Sequence, residues 1–456
     1  MISKLNFRKI VVLISFACCA GINISAQQVM NLKDCMKYAV EHSTKVKLQQ
    51  MEVEDARIAR RDAILQAFTP QISAGTYAYS NFGRSVDPET NTYVSTTSFN
   101  NGYSLSGGIT LFNGFSAVNN IKIAKTALSM GIDNEQLFID QISLATMEAY
   151  YNLLYLLKLE SILISQVETT KEALKLGQKQ YELGQKGYSD VVEIEAELAE
   201  RKYQLIDTQN RYADAILTLK DLMFWPIDAP LEIETDIKEV KVEEIFATPL
   251  QKEEIVNNAL AVNLEIAIAK GKMESAKFEL NSAKWRFTPS ISLNGGWSTS
   301  YYTYPGLQGY TTTPFATQFK NNGGEYIQLS LSFPIFDRLS TFSNLSRKKH
   351  SYSKATLEYE QKVRDIQAEV IRAVQDRDGA CAAFFQADKR AVLQEEAYNL
   401  NIKKLEQGLI SSIDFQKVSD NWLDAKTKRL DSLLKYYIKK SIVDYYNGIK
   451  YLDQEF

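Results

Sequence analysis

The chain has 456 residues, with 52 Lys and Arg against 55 Asp and Glu, a formal net charge of −3 and 45% hydrophobic residues. The missing basic surplus argues against a nucleic-acid partner. No apolar run after the N-terminal segment reaches the roughly 20 residues of a spanning helix, so a membrane could be crossed only by a β-barrel.

Lys4, Arg8 and Lys9 precede an apolar run from Ile10 to Ala20, with Ser25-Ala26 beyond it. This pattern predicts a secretory signal peptide over residues 1–26, whose removal leaves a net charge of −6. A lipoprotein signal at Cys18 or Cys19 is the alternative, although Ser15-Phe16-Ala17 fits its small-residue box poorly. Cys35 and Cys381 then remain, too few for a disulfide framework; whether they pair is left open.

The nine prolines leave residues 89–225 and 335–456 free of proline. Proline costs about 3 kcal/mol inside a helix, so these stretches permit long helices. In chain order the periodicity predicts a helix over 31–67, a strand over 72–82, a polar loop over 83–101 and a strand over 103–112. A long helix from Ser116 to Glu182 follows, with a seam of Ile139, Ile142, Ala149, Leu153, Leu156, Leu163 and Val167. At about 1.5 Å per residue it would measure roughly 100 Å. After a helix over 189–224, a connector over 226–249 joins a second series: helix 250–286, strand 290–302, polar loop 303–324, strand 326–336, long helix 339–406 and helix 413–452. Arg377 interrupts the second seam. Two half-length helices match one long helix, which predicts antiparallel coiled-coil packing of each long helix against a stacked pair.

The two series are copies. Phe68-Thr69-Pro70-Gln71-Ile72-Ser73 returns as Phe287-Thr288-Pro289-Ser290-Ile291-Ser292, and Leu111-Phe112-Asn113 returns as Ile335-Phe336-Asp337. Gly184 with Asp190 recurs as Gly408 with Asp414. Residues 27–225 and 250–456 therefore read as tandem repeats. The strands alternate apolar residues with Ser, Gly and Asn, as a strand between lipid and water does. A soluble sheet with one buried face shows the same alternation; the signal peptide, the helix lengths and the polar loops favour the barrel. Four strands cannot close a membrane barrel, since single-chain examples start at about eight, so several copies must contribute.

Enzymatic chemistry is not expected. The sequence holds no P-loop, no Gly-x-Ser-x-Gly and no Cys-x-x-Cys, and His42 and His350 lack metal-ligand spacing. No catalytic, cofactor-binding or metal residue is proposed.

The duplicated Phe-Thr-Pro starts of the strands, the Leu111-Phe112-Asn113-Gly114 exit and the paired helical-hairpin turns resemble the TolC-type outer-membrane efflux protein family. Asn81 to Pro88 resembles the first outer loop common in its Bacteroidetes members. The resemblance implies an all-α fold with a membrane β-barrel portion: long antiparallel coiled-coil helices forming a periplasmic α-barrel, and four transmembrane strands per chain, completed by trimerisation. It implies an exit duct in the outer membrane, partnered by its lipid, by a periplasmic adaptor (membrane fusion protein) and, indirectly, by an inner-membrane transporter. It further implies an adaptor-facing tip at Gly184, Ser189, Asp190, Gly408 and Ile413, and a lumen mouth at Asp414. Lys417 departs from the acidic pattern of that mouth, and Leu405 and Ile410 replace Tyr and Arg lock residues. Each turn also has a local reading, with glycine ending a helix and Ser411-x-x-Asp414 starting one. The alternative is a periplasmic coiled-coil adaptor or scaffold protein of an export complex, which would place one hairpin centrally between β segments.

Overall fold

The computed structural model describes residues 29–86, 91–95, 97–236, 251–305, 307, 309–407 and 409–455. The predicted signal peptide with Cys18 and Cys19, the connector beyond residue 236, and Gly408 lie outside the described residues. In chain order come helices α1 (Leu32–His42) and α2 (Thr44–Phe68), strands β1 (Gln71–Asn81), β2 (Arg84–Val86), β3 (Tyr93–Ser95) and β4 (Ser98–Asn113), and helices α3 (Ser116–Glu182) and α4 (Tyr188–Met223). The second series is α5 (Lys252–Val262), α6 (Leu264–Trp285), β5 (Ser290–Thr303), α7 (Phe315–Asn321), β6 (Gly324–Ser332), α8 (Ser340–Glu406) and α9 (Ser412–Tyr446), with a 3₁₀ turn at Tyr451–Asp453. The two long helices, α3 and α8, have 67 residues each.

Several boundaries differ from expectation, each for a local reason. The helix expected over 31–67 is broken at Ser43, whose ψ of 122° leaves the helical region. Its hydroxyl accepts from the Val46 N–H at 3.4 Å, starting a new helix. Residues 250–286 break equivalently at Asn263, whose side chain accepts from the N–H groups of Glu265 and Ile266 at 3.0 and 3.1 Å. α9 ends at Tyr446, short of 452, because Gly448 at φ 98° turns the chain out of the helix. β6 stops at Ser332, since Pro334 has no N–H to donate to a ladder. β4 reaches back to Ser98, and the two expected loops contain the β2–β3 hairpin and helix α7.

The described residues form two compact units that cut across the repeats. One takes residues up to Val46, those within Ile139–Ala259 and those from Glu369 onward; the other takes Lys47–Phe138 and Leu260–Ala368. In the first, the helical unit, Cys35, Met36 and Ala39 of α1 pack with Met147, Leu153 and Leu156 of α3 and with Leu219 and Met223 of α4. A fully buried aliphatic side chain contributes roughly 1.5–3 kcal/mol, so this knot is a main source of the unit's stability. The start of the connector is tied into it: Met30 pairs with Ile233, and the Tyr150 hydroxyl donates to the Glu234 carbonyl at 2.8 Å. Cys35 and Cys381 are free and buried, and burial pushes the Cys35 thiol up to about 12.

The second, the sheet unit, carries a four-stranded antiparallel sheet in the order β1-β4-β5-β6 as well as the β2–β3 pair. Gln71 of β1 pairs with Gly108, and Ser290 of β5 pairs with both Asn113 and Ser332. The starts of β1 and β5 and the ends of β4 and β6 therefore share one end of the sheet, where all four flanking helices join.

The duplicated Leu-Phe-Asn and Ile-Phe-Asp triplets explain two of these junctions. Asn113 accepts from the Ala117 N–H at 3.3 Å, and Asp337 accepts from the Thr341 N–H at 2.8 Å and the Ser340 hydroxyl at 3.1 Å, so each caps the long helix after it. The next two residues are left-handed in both copies: Gly114 and Phe115 at φ 64° and 59°, Arg338 and Leu339 at 56° and 62°. Gly114 is required twice over, since a Cβ there would lie 2.3 Å from the Trp285 carbonyl oxygen. Gly114→Ala should therefore lose at least about 1–3 kcal/mol, read as a lowered melting temperature of the sheet in detergent; an unchanged melt would show that the junction relaxes freely.

Candidate functional site

The strand register sorts the sheet's side chains onto two faces. One carries the rows Ile109, Leu293, Leu329 and Phe112, Ile291, Leu331, with Leu105, Trp297 and Ile327 beside them. The other carries Ser73, Ser106 and Gly296, then Gln71, Gly108, Asn294 and Gln328, then Ser104 and Ser298. Tyr77 and Tyr79 stand on this polar face, where the Tyr77 ring lies over Gly102. On the apolar face Ile327 is 87% exposed and Leu329 66%. An exposed, continuous apolar face next to a polar one suits lipid on one side and water on the other.

β1 and β6 are the outer strands, each with one row of backbone groups facing away from the sheet. β5 extends past the end of its pairing with β6, and there α7 takes over. Gln318, 4% exposed, accepts from the Tyr302 N–H at 3.0 Å and donates to the Tyr302 carbonyl at 2.8 Å. Asn322 donates to the Ser300 carbonyl at 2.8 Å, and the rings of Phe315 and Phe319 lie against Tyr103. A short helix thus covers a stretch of strand edge that would otherwise be open.

In the helical unit the hairpin turns follow α3 and α8. Gly184 at φ 70° ends α3, its N–H donating to Tyr181 O at 2.9 Å, and nothing lies within 4 Å of where its Cβ would be. Ser189 is exposed, and the half-buried Asp190 accepts from the Gly187 N–H at 3.1 Å. In the second turn the Asp414 N–H donates to the Ser411 hydroxyl at 3.1 Å, which itself donates to the Asp414 carboxylate at 2.7 Å. Asp190 and Asp414 thus occupy equivalent helix-start positions. Asp414 and Lys417 are both exposed; Gly408 lies outside the described residues, and Ile413 is the second residue of α9. Leu405 and Ile410 are half-buried against Tyr398, Phe415 and Trp422, with the Tyr398 and Trp422 rings stacked at 4.6 Å. An apolar and aromatic cluster stands where a polar lock was the point of comparison.

The sequence reading missed a charged crossing between α4 and α9. Arg201 of α4 is 2% exposed and donates to Glu197 at 3.4 Å, to Gln204 at 3.2 Å and to Asp420 of α9. Burial raises the Glu197 carboxyl above its ordinary value, and Arg201 opposes that shift. One signal was available: Val191, Ile194 and Leu198 form an apolar seam, and Arg201 is the next residue in it.

The profile of the family described as outer membrane efflux protein matches residues 39–223 and 255–440. The chain belongs to this family. It is 22% identical over 302 residues to the alkaline protease secretion protein AprF of Pseudomonas aeruginosa, a match spanning 62% of this chain and 60% of that relative. The fold is that of the outer membrane protein VceC of Vibrio cholerae (TM-score 0.75, 15% identity, 93% and 96% of the two chains). It is equally that of the MtrE outer membrane channel of Neisseria gonorrhoeae (TM-score 0.73, 18% identity, 93% and 91%). Family membership makes the chain an outer membrane efflux protein and favours that reading over the adaptor alternative, while the match to AprF spans only 60% of that relative's length.

The Arg201 crossing generates a pH-dependent prediction. With Arg201→Gln, Glu197 keeps its burial and loses its counter-charge, a defect on the order of 3 kcal/mol. A carboxyl whose folded pKa lies above its unfolded value destabilises when ionised, and the penalty fades as pH falls through that folded pKa. The melting temperature of the variant should therefore lie well below wild type at pH 8 and recover much of the gap at pH 5. A deficit independent of pH would assign the loss to packing alone.

Proposed function

We propose that three copies of this efflux channel close one barrel in the outer membrane and form the exit duct of a tripartite export system, passing cargo from a periplasmic adaptor and an inner-membrane pump to the exterior. The observation that carries this reading is the four-stranded sheet, polar on one face and apolar on the other, with β1 and β6 each unpaired along one side. Unpaired edges are not tolerated in lipid. Pairing β1 of one copy with β6 of the next removes them, and closure at three copies follows the family. AprF, named for alkaline protease secretion, supports a role in export.

The turns at Gly184, Ser189 and Asp190 and at Gly408 and Ile413 are the proposed adaptor-facing tip. The mass of the purified chain in detergent should be about three times that of one mature chain, and a monomer with intact strands would defeat the barrel. Gly184→Trp and Gly408→Trp should keep that mass while losing adaptor co-purification. The Gly184 site is open, although its left-handed backbone costs a side chain about 1–2 kcal/mol. Loss of the assembly together with the adaptor would reduce these glycines to folding residues.

Asp414 and Lys417 are proposed to line the periplasmic mouth, where three copies of Asp414 would form a carboxylate ring that favours cations. Both side chains are exposed, and capping by Asp414 is compatible with such a ring because its carboxylate stays at the surface. Reconstituted channels should prefer cations, with Asp414→Asn weakening and Lys417→Asp strengthening that preference. Selectivity unmoved by both changes would leave capping as the role of Asp414.

A further inference from the structure

The helix segments that join the sheet are basic to a degree that the chain as a whole is not. Residues 56–70, 114–128, 275–289 and 338–352 adjoin the end of the sheet where the four helices meet it. Together they hold twelve Lys and Arg against two Asp and Glu, in a chain whose totals are 52 and 55. All lie in the sheet unit. Among the described residues only three of the twelve form an ion pair: Arg57 with Glu54 at 3.2 Å, Arg61 with Asp62 at 3.2 Å, and Lys348 with Glu279 at 2.7 Å.

Two further observations point to what these charges meet. The junction itself is ringed by exposed aromatics, among them Phe68, Phe115, Trp285 and Phe336, which mark the level of a membrane interface. One turn further out, Arg57, Arg60 and Arg61 of α2 stand with Ile64, Leu65 and Leu128 around an open groove of about 230 Å³. Three cations and three aliphatic side chains lining one groove fit a phosphate with a hydrocarbon chain attached.

The arrangement also disfavours a bare protein contact. α2 leads into β1 and α8 follows β6, so pairing these edges between copies brings Arg57, Arg60 and Arg61 of one near Arg347 and Lys349 of the next. Like charges at such a seam repel, and an anion between them would turn repulsion into bridging. We propose that this basic collar binds anionic phospholipid headgroups of the periplasmic leaflet, with the α2 groove holding one lipid at each seam between copies. The inference rests on the outer-membrane trimer reading.

The test uses the full mature chain in vesicles of phosphatidylethanolamine, with or without a minority of phosphatidylglycerol, followed by detergent extraction and intact-assembly mass measurement. Wild type should retain phosphatidylglycerol well above its share of the mixture. Arg57→Gln/Arg60→Gln/Arg61→Gln, and separately Arg347→Gln/Lys349→Gln, should lower that retention about tenfold or more, since each cation near an anionic surface contributes severalfold, while the trimer persists. Retention in proportion to the mixture, or retention unchanged in both variants, would overturn the proposal. Loss of the trimer in both variants would assign these residues to contact between copies and overturn it as well. A chain that enters neither vesicle would instead refute the membrane reading on which the proposal stands.

Discussion

Everything in this protein follows from the backbone hydrogen bonds of a sheet too narrow to satisfy itself in lipid. Four strands give three internal ladders and two open rows, and a hydrocarbon phase offers nothing to pair with an open row. The apolar face, with Ile327 at 87% exposure, cannot remain in water, and the outer edges of β1 and β6 cannot remain in lipid without partners. Assembly is therefore a condition of the sheet's existence in the membrane. Where β5 outruns its neighbour the chain solves the same problem internally, by laying the Gln318 amide across the Tyr302 backbone.

The helical unit answers a different constraint. Long helices gain little from propensity alone and are held by burial along a stripe, which the Met147, Leu153 and Leu156 seam supplies. Arg201 departs from that rule. Its crossing to Asp420 joins α4 to α9 through charge rather than hydrocarbon, with a buried guanidinium reaching a carboxylate that is itself half exposed. The break at Ser43 and its counterpart at Asn263 have the same character: a polar side chain ends one helix and starts the next at a set residue.

Much of this was legible in the sequence. Proline-free stretches and a sustained apolar seam set the bounds of α3 and α8, and alternation located the four long strands. What escaped depended on local competition or distant pairing. The breaks at Ser43 and Asn263 are single capping residues inside stretches whose periodicity continues on both sides. α7 carries two phenylalanines in an otherwise polar loop and becomes a helix by packing on Tyr103, a contact that no short-range pattern announces. Arg201 and Asp420 lie 219 residues apart, so only the fold brings them together. Of the candidate sites, the turn residues could be located because each has a local helix-ending or helix-starting signature; which way Asp414 faces in an assembly is not encoded at that range.

The left-handed pairs at the strand-to-helix junctions carry a consequence of another kind. The same two dihedral angles are met once by Gly114 and Phe115 and once by Arg338 and Leu339. Each chain therefore has two corners alike in geometry but of two kinds in chemistry. One kind is fixed by contact, since no side chain fits beside the Trp285 carbonyl, while the other already carries an arginine. The two copies thus separate tolerance from necessity: the first corner depends on its glycine, while the second holds the same shape with a charged side chain.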